Sequence, residues 1–145
     1  MVKILNKRVV VTGLGAITPV GNDVETFWNN IKSGVCGIDF IKQFDTTEFK
    51  VKIAAEVKDF DPSMYMDKKE VKRIDTFSQF AIAAATQAVE DSKLDLDKVD
   101  KNRFGVVIGS GIGGIGTIEK EQTKFLEKGP NKVHPLFIPM IISNM

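Results

Sequence analysis

The sequence holds one cysteine, one histidine, one tryptophan and one tyrosine among 145 residues. A lone Cys36 excludes an internal disulfide and fits a reducing compartment. A lone His134 leaves no cluster of ligands at the spacing a metal ion requires. The formal net charge is only +1, so no overall basic field recruits nucleic acid, and electrostatic recognition has to come from a local cluster. Long apolar runs are also missing. Val9, Val10 and Val11 are followed at once by Thr12 and Gly13, too short for a signal-peptide core. Nothing approaches the roughly 20 apolar residues of a membrane span. These absences lead us to expect a cytoplasmic protein with no membrane or nucleic-acid partner. Hydrophobic content of 43% and charged content of 27% are ordinary for a globular chain.

An alternation of strands and helices can be read from the pattern. Arg8 to Thr12, "RVVVT", and Phe104 to Ile108 are short β-branched or apolar runs closed by glycine, the pattern of strands buried on both faces. Asn22 with Glu25 resembles a capping box. Val24, Phe27, Trp28 and Ile31 then form one helical stripe, ended by Gly34. From Phe49 to Val57 the period is two, the mark of a strand with one wet face at an edge or in a hairpin. A long helix follows the polar stretch "DFDPSMYMDKKEVKR". Its inner face, Phe77, Phe80, Ala81, Ala84 and Ala88, is mostly alanine, so a neighbour can approach closely, while Thr86 and Gln87 are expected behind it. Another helix runs from Ile115 to Leu126 and is stopped by Gly129-Pro130. The order is α/β. Two buried strands cannot cover these helices and the apolar tail "HPLFIPMIISNM". The chain is either part of a larger fold or a small domain that dimerises through that tail.

The stretch "FGVVIGSGIGGIG" contains Gly109, Gly111 and Gly114 in a G-x-G-x-x-G arrangement. A dinucleotide fingerprint needs a second strand with an acidic end roughly 20 residues on. That distance falls in "EKGPNKVHP", where Pro130 and Pro135 oppose a strand. Gly13-Leu14-Gly15 has Thr18 in place of the third glycine, and neither loop carries Gly-Lys-Ser/Thr. The glycines are therefore read as room for close backbone approach, another chain or a long thin ligand, with Ile112 as a plug or gate. Cys36 and His134 make a poor catalytic pair: the cysteine follows a helix stop and the histidine sits in a loop. Asp59/Asp61 and Asp95/Asp97 lie in turns, where aspartate bonds locally.

Taken in order, "RVVVTGLGAITPVGN", a Trp-bearing helix, "SGVCGI", "FDTTEF", "KKEVKRIDTF", "VVIGSGIGGIGTIE" and "PMIISNM" resemble the opening of a β-ketoacyl-[acyl-carrier-protein] synthase. The resemblance is to the elongating synthase II type of bacterial type II fatty acid synthesis and covers the whole chain. It implies an α/β, thiolase-like layered fold, αβαβα when complete. Residues 1–145 would be the first part of its amino-terminal half. It also implies a homodimer and an acyltransferase activity that condenses an acyl group with malonyl-carrier protein.

In the resembled family a cysteine and two histidines do the chemistry, all beyond the "SNM" segment. Neither Cys36 nor His134 matches them, so the resemblance assigns no catalytic residue to these 145 positions and implies inactivity for them alone. It assigns Ile112, Phe137 and Ile138 to an acyl tunnel, Phe137 and Ile138 contributed across the dimer interface. Lys69, Lys72, Arg73 and Lys132 are assigned to docking of the acidic acyl-carrier protein. Asn131 stands where relatives often carry arginine. By spacing alone the basic run, with Asp67, Glu70 and Asp75 interspersed, is a solvated face. No cofactor is implied, the substrates being carried on phosphopantetheine. The alternative is a non-catalytic module that keeps the carrier-binding and dimer surfaces.

Overall fold

A computed structural model describes residues 8–143. Helix α1 spans Val24–Lys32, β1 Ile38–Phe40 and β2 Ile53–Ala55. Helix α2 is the single turn Lys68–Val71, α3 spans Thr76–Ser92, α4 Ile115–Lys128 and α5 Phe137–Ile141. Short 3-10 turns occupy Pro62–Met64, Lys101–Arg103 and Pro130–Lys132.

Helix starts follow one chemistry. Asp23, Asp61, Asp67, Asp75 and Asp100 each accept a hydrogen bond from a backbone N–H at the start of the next helical segment. Each such cap satisfies an orphan donor and contributes about 1 kcal/mol. The cap of α1 is Asp23, one residue later than the capping-box reading. Asn22 instead donates Nδ2 to the Lys58 carbonyl at 2.7 Å, tying the helix entry to the chain after β2. At the other end Gly34, with φ +70, closes α1 through bonds from Gly34 N to Ile31 O and from Val35 N to Asn30 O. That is the expected glycine stop.

Helix α3 is the element on which the amino-terminal segment lies. A Cβ on Gly13 would collide with the Ala88 carbonyl and sit 2.7 Å from Ser92 N. A Cβ on Gly15 would collide with the Ala84 carbonyl. Glycine on one side and alanine on the other thus bring two backbones into contact, as the alanine face implies. Polar bonds fix the register. Asp91 accepts from Leu14 N at 2.9 Å, and Gln87 Oε1 accepts from Ala16 N at 3.0 Å. Gln87 Nε2 donates to the Asn22 carbonyl at 2.7 Å and to Tyr65 OH at 2.9 Å. Gln87, expected behind the inner face, is therefore a hub. Phe60 meets Phe80 edge to face at 4.9 Å and stacks beside Tyr65, a geometry aromatic rings favour.

The strands differ from expectation. The period-two stretch shortens to β2, which pairs antiparallel with β1 in the register Ile38–Ala55, Asp39–Ala54 and Phe40–Ile53. A hairpin was one of its two expected settings. The runs Arg8 to Thr12 and Phe104 to Ile108 are not buried strands. Val9 is 90% exposed, Val107 is 99% exposed, and no backbone bond pairs either run with a strand among the described residues. A run of this composition becomes a strand only where a neighbour offers its N–H and C=O groups, and the described residues supply none. Apolar burial is correspondingly sparse: Met66 and Ala83 are the buried apolar residues among them.

The two classes of glycine respond oppositely to alanine. Gly15→Ala is expected to lower unfolding free energy by about 1–3 kcal/mol, because it overpacks a backbone contact. Gly116→Ala, in α4 with no atom within 4 Å of its absent Cβ, is expected to raise it by about 0.5–1 kcal/mol. Urea titration followed by circular dichroism checks both, and equal effects would refute the distinction.

Candidate functional site

The glycine loop has a free half and a pinned half. Around Gly109 and Gly111 nothing lies within 4 Å of an added Cβ. Gly113, with φ +77, would drive a Cβ into the Ile141 carbonyl, and a Cβ on Gly114 would stand 2.8 Å from Asp75 Oδ2 and 3.0 Å from Met140 O. Gly114 N donates to Ile141 O at 3.1 Å, joining the loop to the end of α5. Ser110 Oγ accepts from Gly113 N at 2.9 Å. Between these halves Ile112 projects 70% exposed.

A carboxylate fills the anion position at the start of α4. Asp75 Oδ2 accepts from Thr117 N at 3.3 Å and from Thr117 Oγ1, while Oδ1 accepts from Phe77 N at 3.3 Å as the cap of α3. Helix N-termini attract anions through their free amides and dipole. In a dinucleotide fold that seat holds pyrophosphate; here Asp75 takes it. Gly113 and Gly114 serve close backbone approach, one of the roles the sequence context left open, while Gly109 and Gly111 have no such neighbour.

A second carboxylate holds the far side of α4. Glu121, 4% exposed, accepts from His134 N at 2.7 Å and from Lys124 Nζ. The Lys124 ammonium, followed by the His134 N–H, holds its carboxyl below the ordinary glutamate value. His134 Nδ1 accepts from Leu136 N at 3.1 Å, and its carbonyl accepts from Phe137 N at 2.9 Å, which starts α5. Phe137 is half-buried and Ile138 is 51% exposed on that helix. The fold thus brings the glycine loop and α5 together through Gly114 and Ile141. Cys36 stands apart: it is exposed, its Sγ lies 4.0 Å from the Ile38 carbonyl, and it shares no hydrogen bond with His134.

The basic residues sit ahead of the long helix, not within its start. Lys69 lies in α2, Lys72 caps its end, and Arg73 N bonds Glu70 O. Asp67 and Glu70 form a reciprocal capping box that consumes the two nearest acids. Ion pairs among the described residues join Lys42 and Lys58 to Asp39, Lys98 to Asp95, and Lys124 to Glu121. None engages Lys69, Lys72, Arg73 or Lys132, all exposed. Lys132 ends the turn Pro130–Lys132 that precedes α5. A groove of about 1040 Å³ separates the hairpin from the α2–α3 junction and the pinned half of the glycine loop; Lys72, Phe77, Phe80 and Met140 line it. Ile112, Phe137 and Ile138 lie outside it.

The family profile described as beta-ketoacyl synthase, N-terminal domain, matches residues 6–145. The chain belongs to the β-ketoacyl synthase family. It is 49% identical over 140 residues to 3-oxoacyl-[acyl-carrier-protein] synthase 2 of Staphylococcus aureus (strain COL), covering 97% of this chain and 34% of that protein. Among solved structures, the ishigamide ketosynthase/chain length factor superposes with a TM-score of 0.84 at 30% identity, over 94% of this chain and 34% of that one. A type II polyketide ketosynthase, AntDE, solved in complex with its acyl-carrier protein AntF, superposes at 0.71 and 33% identity, over 90% of this chain and 33% of that one. The chain therefore spans about a third of the length of the relatives it matches. The thiolase-like fold class expected of the sequence is that of these ketosynthases. No helix among the described residues of this β-ketoacyl synthase segment is long and apolar enough to cross a membrane.

Three site-building residues, Asp75, Thr117 and Glu121, were missed by motif. Asp75 before Thr76 and an apolar run carries the signal of an N-cap. Glu121 carries none, since a glutamate with a lysine three residues on reads as solvated surface.

Because Glu121 titrates below its ordinary value of 4.5, its contribution is complete above that pH and is lost as pH falls through the lower folded-state value. The carboxylates of Asp23, Asp39, Asp45, Asp61 and Asp95 are depressed as well, so the difference from a variant isolates Glu121. Melting temperatures of the parent and Glu121→Gln are expected to differ most at neutral pH and to converge below pH 4.5. A difference independent of pH would contradict the assignment.

Proposed function

We propose that the protein acts as a 3-oxoacyl-[acyl-carrier-protein] synthase of type II fatty acid synthesis, an acyltransferase that lengthens acyl chains with loss of carbon dioxide. The observation that carries this reading is the unbroken match to a synthase 2 along almost the entire chain. An enzyme cysteine thiolate attacks the carrier's acyl thioester, takes the acyl group as its own thioester and releases the phosphopantetheine thiol. Malonyl thioester then loses carbon dioxide, and the carbanion attacks the acyl thioester and expels the cysteine thiolate. On this reading the cysteine and two histidines lie in polypeptide beyond these 145 residues. Cys36 and His134 take no part, and the segment alone is inactive. The reading includes a homodimer, a cytoplasmic setting and no cofactor of the protein's own.

Within the segment, Ile112 gates the acyl tunnel and Phe137 and Ile138 line it. The free surroundings of Gly109 and Gly111, against the fixed Gly113 and Gly114, support a gate hinged at one end. Lys69, Lys72, Arg73 and Lys132 dock the acidic carrier. Among the described residues no ion pair engages them, which supports their charge being available to a partner.

The reading is tested by joining this segment to the remaining two thirds of the Staphylococcus aureus synthase 2 and assaying condensation of acyl- and malonyl-carrier protein. Condensing activity is expected; a soluble chimera that binds carrier protein without condensing would favour the non-catalytic module. In the chimera, Ile112→Phe is expected to cut kcat/KM for the longest acyl chains about tenfold, roughly 1.4 kcal/mol of transition-state stabilisation, and to spare short ones. An unchanged chain-length profile would remove Ile112 from the gate. Reversing both charges, Lys72→Glu with Arg73→Glu, is expected to raise KM for carrier substrates about tenfold at low salt with kcat kept. An unchanged KM would defeat the docking role.

A further inference from the structure

The Asp75 carboxylate joins the turn that precedes α3 to the first turn of α4. One oxygen holds Phe77 N and the other holds Thr117. The turn itself is braced: Gln79 Nε2 donates to the carbonyls of Val71 at 3.1 Å and Ile74 at 3.3 Å, the residues flanking Lys72 and Arg73. On the other side, Thr117 is 9% exposed, and the missing Cβ of Gly114 lets Asp75 Oδ2 approach to 2.8 Å of that position. From Lys72 to Ile112 the connection is therefore a short series of stiff pieces, namely the braced turn, a shared carboxylate, the first turn of α4 and the pinned glycines.

Resting on the docking and gate roles proposed above, we propose that Asp75 and Thr117 are positioning residues that link the basic turn to the glycine loop, so that occupation of the turn by a carrier protein sets the position of Ile112. The contacts that carry this role are those of Asp75 with Phe77 N, with Thr117 and beside Gly114. The link acts because a carboxylate shared between two helix starts fixes their relative position only while both sets of bonds are made. A carrier pressing on Lys72 and Arg73 shifts that shared point, and the glycine half without neighbours yields. Substrates without a carrier body leave the loop in its resting position.

The test compares acyl-carrier protein with acyl-coenzyme A as donors in the chimera, using one long and one short acyl chain. The ratio of kcat/KM for long over short chains is expected to be at least about fivefold higher with the carrier. Thr117→Val keeps the side-chain shape and removes the hydroxyl donor. It is expected to bring the carrier's ratio down to that of coenzyme A, and Thr117→Ser to restore it. A purely structural role would lower all four rates together and leave the ratios alone, which would overturn the proposal. So would equal ratios for the two donors in the parent. Should Thr117→Val fail to fold, Asp75→Asn, which keeps an acceptor for Phe77 N, supplies the same comparison. If Ile112→Phe leaves chain length unchanged, the gate reading has failed; if it acts while Thr117→Val does not move the ratios, the link alone has failed.

Discussion

Contact between two backbones, Gly13–Gly15 against the Ala84–Ala88 stretch of α3, sets the geometry of the amino-terminal half. Only a residue without a Cβ fits opposite those carbonyls. Once the chain lies that close, its N–H groups must find acceptors, and Asp91 and Gln87 provide them. Gln87 then reaches Asn22 and Tyr65, so the entry to α1 and the aromatic group around Phe60 are placed by the same side chain. Polar bonding of this kind carries unusual weight here because little apolar surface is fully enclosed.

Carboxylates do the corresponding work in the other half. Asp75 and Glu121 grip α4 from two sides, one at its first amides and one through the backbone before α5. Both contacts place a negative group on backbone N–H donors, where charge-assisted bonds are strong. Many acids of this sequence are engaged in caps and turns, and no ion pair among the described residues engages Lys69, Lys72 or Arg73.

Much of this was legible before any coordinates. The Gly34 stop, the α4 stop at Gly129, the alanine face and the turn roles of Asp61 and Asp95 all follow from local chemistry and appear as read. The ordered series of motifs named the family on the same grounds that the profile match later did. Three things were hidden. The valine runs have strand composition, but pairing depends on neighbours that local pattern cannot supply. Gln87 sits among alanines, and nothing in its spacing says that three groups converge on it. Glu121 has the sequence context of surface, and only the path of the chain after Gly129 buries it.

The bare runs around Val9 and Val107 carry one more consequence. An extended apolar segment with open N–H and C=O groups is adhesive toward any other such segment. As a nascent chain these stretches would emerge well separated in time, the first exposed throughout synthesis of the second. The yield of this segment should therefore depend on how quickly those edges are covered rather than on how firmly the helices are capped.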